Sequence, residues 1–587
     1  MAWSPKRSVK EVGALLVAPG APLEVQTRLI DGRLQRVYVN QWPSLRAFWL
    51  SSAPKHKDSV YLVYQNQRYT FSEVHVRATK AASLLRHVYG VRKGDRVGIC
   101  ARNYPEYMVA FWACHFIGAV SVLVNAWSPT DVLKHCFVHT QCKVVIVDAE
   151  RADRLEPIAS SLVDKGVAGI CVLEAHEGKG HWNGMQTWND SLDAYTGPLD
   201  AITADPEIQP EDNASVYFTS GTTGLPKGVL STHRQYLTNV MNLSVGSARA
   251  ALRRGETPVS SLGPQIGILI SVPLFHVTGS TSLAMLATFS GMKIVLMRKW
   301  VPEEAVRLIK LENIMVAGGV PSMVSDLVDY SDGQPLGALM FGGAPAPNNL
   351  PSRALAAFPG AALSQGYGLT ETNSLAVSVA GEDYAARPTT CGLASPVNDL
   401  VIVNDGVSVA AGVIGEVWIR GPNVMKGYWG DPETTRKAIT KDGWFRTGDL
   451  GYLDEEGFLY IRDRIKDIII RGGENIDSVT VENALYADER VLEVAAVSVP
   501  DKRLGELVAA VVSIKPRHRD RVTEAELLAK AKTLLPIFAV PVIIVIQKEP
   551  FDRTPSGKIL KPQLREIARE AWRVRLGTVG VPSSAKL

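Results

Sequence analysis

The chain has 587 residues, 46% hydrophobic and 21% charged, the balance of an ordinary globular protein long enough for at least two domains and a large core. A formal net charge of +4 over this length gives no basis for nucleic-acid binding or for attraction to an anionic membrane.

The opening segment MAWSPKRSVKEVG has no apolar core of signal-peptide length. Residues 58–71 (DSVYLVYQNQRYTF) read as a hairpin turning at Gln65 and Asn66. RVGIC, VSVLVNA and KVVIVD then read as strands separated by helical stretches. Residues 108–127 (MVAFWACHFIGAVSVLVNAW) have the length of a membrane span and no Asp, Glu, Lys or Arg. Their second half is richer in β-branched residues, so the expectation is a buried helix ending near Gly118 and then a buried strand. The stretch 174–198 is aperiodic and is expected to be a surface excursion. Further on, MKIVLM, IMVAGGV and ALMFGG read as strands around the helical VPEEAVRLIKLEN and SMVSDLVDY. Strand–helix alternation of this kind implies parallel sheets layered with helices, an α/β fold.

Near residue 463 the pattern changes. RDRIKDIIIRGGENI is followed by strand-like LEVAAVSVP and LVAAVVSIKP, helix-like TEAELLAKAKTLL, strand-like VPVIIVIQ and a last helix after Ser556. The expected domains are therefore a large N-terminal one, 1–463, and a small C-terminal α+β one, 464–587. The six cysteines form no C-x-x-C pair and several sit in apolar runs, so neither a zinc site nor a thioredoxin motif is indicated, and a reducing compartment is expected.

The stretch 219–230, TSGTTGLPKGVL, reads as a loop built to hold phosphate, with a plain flexible surface loop as the alternative, yet it is not a P-loop. The P-loop places its lysine directly after a glycine and a magnesium-binding hydroxyl directly after the lysine. Here Leu225 and Pro226 separate Gly224 from Lys227, and Gly228 follows the lysine. The physical logic survives the change of spacing. Glycines let backbone N–H groups approach an anion, Ser220, Thr222 and Thr223 add hydroxyls, and Lys227 adds charge. The preceding SVYFTS reads as the strand that delivers the loop, which is where α/β proteins place ligands.

TSGTTGLPKG, QGYGLTET, WFRTGDLG, RDRIKDIIIRGGENI and RTPSGKI stand in the order and spacing of the adenylate-forming enzymes, and the resemblance runs from about residue 40 to 570. That superfamily includes acyl-CoA synthetases, luciferases and peptide-synthetase adenylation domains. The resemblance implies two half-reactions: a carboxylic acid attacks the α-phosphate of ATP to give acyl-AMP and pyrophosphate, then the thiol of CoA displaces AMP. It assigns Thr219, Ser220, Gly221, Thr222, Thr223, Gly224 and Lys227 to the departing pyrophosphate. It assigns Gly343, Ala344, Gly366 and Tyr367 to adenine, Thr370 to the α-phosphate and Glu371 to Mg2+. Asp449 and Arg464 are implied at the ribose, and His276 at the acyl pocket near the α-phosphate. Lys558 is implied as the catalytic lysine of adenylation, Lys466 as the hinge of a mobile C-terminal domain, and Gly472 and Gly473 as the walls of the CoA tunnel. Each has a plain alternative. Glu371 could cap a helix, Asp449 could serve a turn, Lys558 could be a solvated lysine, and His276 could be a core histidine.

The overall texture resembles medium- or long-chain fatty acyl-CoA synthetases most, with the aryl, 4-coumarate type as the alternative. Pocket walls are expected at 276–283, 318–324 and 342–344, all small or apolar. The chain ends soon after Lys558, without room for a carrier domain, which argues against a modular peptide synthetase. A non-catalytic acyl or nucleotide binder on this fold, or a membrane transporter using 108–127 as a span, would be different classes of protein. The final Ala-Lys-Leu is a variant of the Ser-Lys-Leu address, implying a peroxisomal import receptor if the source is eukaryotic, and a cytoplasmic location if it is bacterial.

Overall fold

The computed structural model describes residues 3–219, 225–257, 264–554 and 557–578. Ser220, Gly221, Thr222, Thr223 and Gly224 of the phosphate loop, and the C-terminal tripeptide 585–587, lie outside the described residues. Contacts divide the chain into two compact units. One comprises Met1–Gly343, Arg353–Leu400 and Trp418–Arg446; the other comprises Ala344–Ser352, Val401–Val417 and Thr447–Leu587.

The first unit is α/β and holds two large sheets. The eight-stranded sheet runs Gly427–Tyr428, Lys227–Thr232, Asn213–Thr219, Val120–Leu123, Arg96–Cys100, Cys142–Asp148, Gly169–Leu173, Gln186–Thr187. From Asn213–Thr219 to the far edge its pairings are parallel. Parallel strands are covered on both faces, and Val120–Leu123 is accordingly buried at every position. The nine-stranded sheet runs Leu393–Ala394, Ser374–Ala380, Ala362–Leu369, Ala338–Gly342, Ile314–Gly319, Gly267–Ile270, Lys293–Leu296, Val60–Tyr64, Gln67–Thr70. The last two strands form the expected hairpin at Gln65.

Residues 108–127 are the buried helix and strand anticipated from composition. Every residue of Pro105–Phe116 is buried, Gly118 turns the chain at φ 71°, and Val120–Leu123 comes next. Among the described residues no helix is long and apolar enough to cross a membrane. The stretch 174–198 differs from expectation. It carries the edge strand Gln186–Thr187 and the helix Trp188–Ala194, and it buries Trp182 and Trp188. Their indole N–H groups donate to Asp153 at 2.7 Å and to Glu106 at 2.6 Å. Two large aromatic rings with paired N–H groups override the local signals of glycine and aperiodicity.

The second unit holds most of a five-stranded sheet in the order Val407–Ser408, Asp399–Asn404, Gly415–Arg420, Phe445–Leu453, Leu459–Arg464. It also holds an α+β layer in which Gly505–Ile514 pairs with Val491–Asp501, Ile543–Gln547 and Ile469–Arg471. The helices Ser478–Tyr486, Glu524–Leu534 and Lys561–Thr578 belong to this layer. The units do not divide at a single cut between 463 and 464. Phe445–Leu453 pairs with Leu459–Arg464, placing Asp449 opposite Arg464, so residues 447–463 group with the C-terminal segment 464–587.

This packing makes two outcomes measurable. Trp188→Ala should cost about 3–5 kcal/mol in a denaturant titration, the scale for emptying a buried aromatic site, whereas a surface position would change stability by under about 0.5 kcal/mol. His233 is buried, its Nδ1 accepts from the Leu45 N–H at 3.2 Å, and burial lowers its pKa to about 4. The unfolded chain takes up this proton near pH 6.5, while the folded chain resists it down to about 4. Stability should be fully present above pH 6.5 and fall on acidification toward pH 4 by on the order of 3 kcal/mol from this group. His233→Gln should remove that part of the pH dependence of the unfolding free energy.

Candidate active site

The carboxyl ends of the parallel strands Gly267–Ile270, Ile314–Gly319, Ala338–Gly342 and the first half of Ala362–Leu369 face one edge of the nine-stranded sheet. Ligands of open α/β sheets bind at such an edge. This topology assembles there the expected glycine segments and Tyr367. Gly342 pairs with Gly366, where an added Cβ would meet the Leu375 side chain at 2.5 Å. Gly343 follows at φ 80°, and Ala344 continues the turn. At Gly343 the positive φ favours glycine, and at Gly366 the packing of Leu375 leaves little room for a side chain, so local structure alone gives small residues a reason to be here.

His276 lies in the segment leaving Ile270. It is half-buried, with its ring 5.1 Å from that of Phe275. The chain then forms a π-helix, Thr278–Ala284, a geometry frequent at functional sites. Gly279 permits it, because a Cβ there would stand 2.3 Å from the Pro273 carbonyl. Tyr217, on the strand that delivers the phosphate loop, hydrogen-bonds the Ser280 and Thr281 hydroxyls at 2.7 and 2.9 Å. The segment after His276 and the base of the loop are thus locked together.

Thr370 and Glu371 open a short 3-10 turn, Thr370–Thr372. Asn373 and Ser374 then take φ of 52° and 87°, a rare pair of left-handed residues without glycine. Buried amides hold this bend. Asn239 accepts from the Leu375 N–H at 2.8 Å, and Asn242 donates to the Leu375 carbonyl at 2.8 Å. Asn423 donates to the Thr372 carbonyl at 2.9 Å, and Asn373 donates to the Asn423 carbonyl at 3.0 Å. Strain of this kind persists only where the surroundings fix it, and it is common beside reacting groups.

Asn239, Asn242 and Asn423 are not legible as site residues in the sequence, since scattered asparagines carry no periodic signal. Tyr428, in MKGYWG, is equally silent there, and the glycine–aromatic run is the only clue to it. The Tyr428 hydroxyl donates to Glu371 Oε1 at 2.9 Å, and Lys227 Nζ stands 5.3 Å from the centre of its ring. Burial first, and the Glu371 charge second, raise the Tyr428 pKa, so the phenol keeps its proton. Thr219 and Lys227 face each other at the base of the hairpin that carries the phosphate loop. Among the described residues no group of three or more His, Cys, Asp or Glu could hold a metal ion. Mg2+ needs no such cluster, since it binds through one or two carboxylates together with substrate phosphates and water. Glu371 fits that requirement.

In the second unit Asp449 is buried on Phe445–Leu453, and Arg464 Nε lies 3.0 Å from its Oδ1 across the strand pair. Thr447 Oγ1 accepts from the Asp449 N–H at 3.1 Å and donates to the Val417 carbonyl at 2.7 Å, fixing the turn. Lys466 lies in the turn between Leu459–Arg464 and Ile469–Arg471. Gly472 and Gly473 are the two turn residues of the hairpin Ile469–Arg471 and Glu474–Ile476, at φ 59° and 93°. Two successive left-handed positions are what a tight hairpin of this kind needs, so the fold alone accounts for both glycines. A Cβ on Gly473 would meet nothing within 4 Å, and one on Gly472 would meet Leu504 at 2.9 Å.

Lys558 is exposed on a tight loop. Its N–H donates to Thr554 Oγ1 at 3.0 Å, the Thr554 N–H donates to its carbonyl at 2.7 Å, and Gly557 turns at φ 85°. The buried Glu493 anchors the loop base. It accepts from the Phe551 N–H at 2.6 Å and pairs with Arg553, whose guanidinium also donates to the Gly557 carbonyl at 2.8 Å. Nothing in the sequence marks Glu493 for this role, because it lies in an apolar strand far from the loop it holds.

In the first unit, parallel strands ending in glycine stand in one fold with Lys227, Tyr428 and Glu371, at the kind of sheet edge where open α/β proteins take up ligands. Residues 50–429 match the AMP-binding enzyme family, and residues 480–558 match the AMP-binding enzyme C-terminal domain. The chain belongs to the AMP-binding family of adenylate-forming CoA ligases, whose reaction uses ATP and Mg2+ with CoA as co-substrate. It is 32% identical over 508 residues to feruloyl-CoA synthase of an Amycolatopsis species, covering 84% of this chain and 93% of that one. It is 31% identical over 510 residues to 4-coumarate–CoA ligase 3 of Oryza sativa subsp. japonica, covering 85% and 87%. Among solved structures it resembles o-succinylbenzoate coenzyme A synthetase of Bacillus subtilis in complex with ATP and magnesium ion. That likeness has a TM-score of 0.73 at 26% identity and covers 89% of this chain and 100% of that one.

Proposed function

We propose that the protein joins an aromatic carboxylic acid of the hydroxycinnamate or benzoate type to CoA, by way of an acyl-adenylate. The observation that carries this reading is its likeness, over more than four fifths of its length, to relatives named for ferulate and 4-coumarate. The medium- or long-chain fatty acid expected from motif texture has no comparable support in these relatives. The physical setting agrees with a planar substrate. Gly318, Gly319, Gly342 and Gly343 leave backbone rather than side chains along the sheet edge, a surface against which a flat ring can lie.

In the first half-reaction the acid's carboxylate attacks the α-phosphorus of ATP, and the bond to the β-phosphate oxygen breaks. Thr370 contacts the α-phosphate, and Lys227 with the loop backbone receives the leaving pyrophosphate. A magnesium ion held by Glu371 would supply charge neutralisation to the phosphate oxygens. Asp449 accepts the ribose hydroxyls, and Arg464 keeps that carboxylate oriented. The Lys558 ammonium bridges carboxylate and phosphate and offsets a repulsion greatest in the transition state. In the second half-reaction the CoA thiolate attacks the acyl carbon and AMP departs. For this step the C-terminal domain turns about Lys466, withdrawing Lys558 and bringing the loop of Gly472 and Gly473 to the thiol.

A panel of acids scored for CoA-dependent AMP release tests the substrate class. Ferulate, 4-coumarate and substituted benzoates should exceed octanoate, palmitate and short branched acids in kcat/KM by at least tenfold. Preference for an aliphatic acid would overturn the aryl reading, and silence with every acid would overturn ligase activity altogether. Lys558→Ala should reduce adenylation, read by acid-dependent ATP–pyrophosphate exchange, by about 100-fold or more, on the order of 3 kcal/mol. The same variant should convert synthetic acyl-AMP and CoA at close to the wild-type rate. Equal losses in both half-reactions would contradict the turning-domain mechanism.

A further inference from the structure

The edge strand Gly427–Tyr428 supplies none of the phosphate, ribose or metal contacts of the adenylation reading, yet it touches two of the groups that do. Its position is fixed by backbone hydrogen bonds on several sides. The Lys426 N–H donates to the Leu230 carbonyl at 2.9 Å, and the Trp429 N–H to the Gly228 carbonyl at 2.7 Å, which seats the strand beside the arm that ends in Lys227. The Met425 N–H donates to the Glu371 carbonyl at 2.7 Å, which seats it beside the bend of Glu371. The Tyr428 N–H donates to Thr435 Oγ1 at 2.9 Å. Tyr428 thus has little freedom to follow its neighbours, and its neighbours are held against it.

Its two contacts are of opposite polarity. The face of the ring is the negative pole of an aromatic quadrupole and attracts the Lys227 ammonium. The hydroxyl is a neutral donor and satisfies one oxygen of the Glu371 carboxylate. One rigid side chain therefore meets the cation assigned to the pyrophosphate and the carboxylate assigned to the metal. We propose that Tyr428 is a positioning residue that orients Glu371 toward the magnesium of Mg·ATP and steadies Lys227 for the β- and γ-phosphates. Metal binding and phosphate binding are coupled through it. A hydrogen bond to a metal-ligating carboxylate removes rotational freedom that the metal would otherwise have to overcome, and losing such a partner commonly weakens metal binding about 10–100-fold. This inference rests on the adenylation reading and is independent of which acid is used.

The full-length chain and its Tyr428→Phe, Tyr428→Leu, Glu371→Gln and Tyr428→Phe/Glu371→Gln variants would be compared by calorimetry and by Mn2+ electron paramagnetic resonance. ATP is titrated in EDTA, and Mn2+ is titrated in the presence of ATP. Tyr428→Phe keeps the ring and loses only the hydroxyl. It should bind ATP in EDTA within twofold of wild type and bind Mn2+ about 10–100-fold more weakly. In the double variant Mn2+ binding should be no weaker than in Glu371→Gln alone, because the hydroxyl acts through that carboxylate. Tyr428→Leu removes the ring as well and should also weaken ATP binding in EDTA. Wild-type Mn2+ affinity in Tyr428→Phe, or fully additive losses in the double variant, would overturn the proposal. A wild-type chain that binds no ATP with or without metal would overturn the adenylation reading and this inference together.

Discussion

The close pairing of Gly342 with Gly366 at the carboxyl edge of the nine-stranded sheet is the constraint on which the rest of the first unit's site depends. Two strands that lack side chains at adjacent ends can present backbone to a ligand and still let the next strand fold back across them. The antiparallel return, Ser374–Ala380, does this, and its first residues must bend sharply. The bend brings Gly368 against Ser374 so closely that a Cβ would stand 1.5 Å from the Ser374 carbonyl oxygen. Thr370 and Glu371 open the 3-10 turn that joins these two strands.

That geometry is costly to hold. Asn373 and Ser374 occupy a region of backbone space that L-residues avoid, at a cost of order 1–3 kcal/mol each. Asn239, Asn242 and Asn423 offset it by satisfying buried backbone groups around the bend, each of which would otherwise lose its water without replacement. The second unit solves an equivalent problem differently. There the Lys558 loop is anchored at its base by one buried carboxylate, Glu493, which takes a backbone N–H and an arginine together. In both units buried polar groups fix the backbone beside a side chain that stays at least partly exposed, Glu371 in the first and Lys558 in the second.

Lys227 and Glu371, which Tyr428 touches together, come from different sheets. Lys227 rides on the eight-stranded sheet, and Glu371 comes directly after a strand of the nine-stranded one. The short strand Gly427–Tyr428 pairs with the first, while the residue two before it donates to the Glu371 carbonyl. It is a small element, and it fixes the relation between a cation and a carboxylate that the sheets alone would leave to side-chain torsions.

The sequence by itself determined the α/β class, the parallel strands, the hairpin at Gln65 and the buried nature of 108–127, because apolar periodicity and turn residues are local signals. It also carried Thr219 to Lys227, Gly343, Thr370, Glu371, Asp449 and Lys558 inside contiguous motifs, the form in which a family resemblance can be read along the chain. Tertiary structure alone decided the rest. Trp182 and Trp188 are core residues because of what covers them, and no local pattern distinguishes them from exposed rings in a glycine-rich stretch. Asp449 keeps company with Arg464 across a strand pair, so the division of contacts falls before that hairpin and not at the change of composition near 463. Tyr428, Glu493 and the asparagines around residue 373 act on groups 50 or more residues away in several cases, as from Tyr428 to Glu371 (57 residues) and from Glu493 to Phe551 (58 residues). Contacts over such separations exist only once the chain has folded, because the hydrogen bonds that define them are made between elements and not within one.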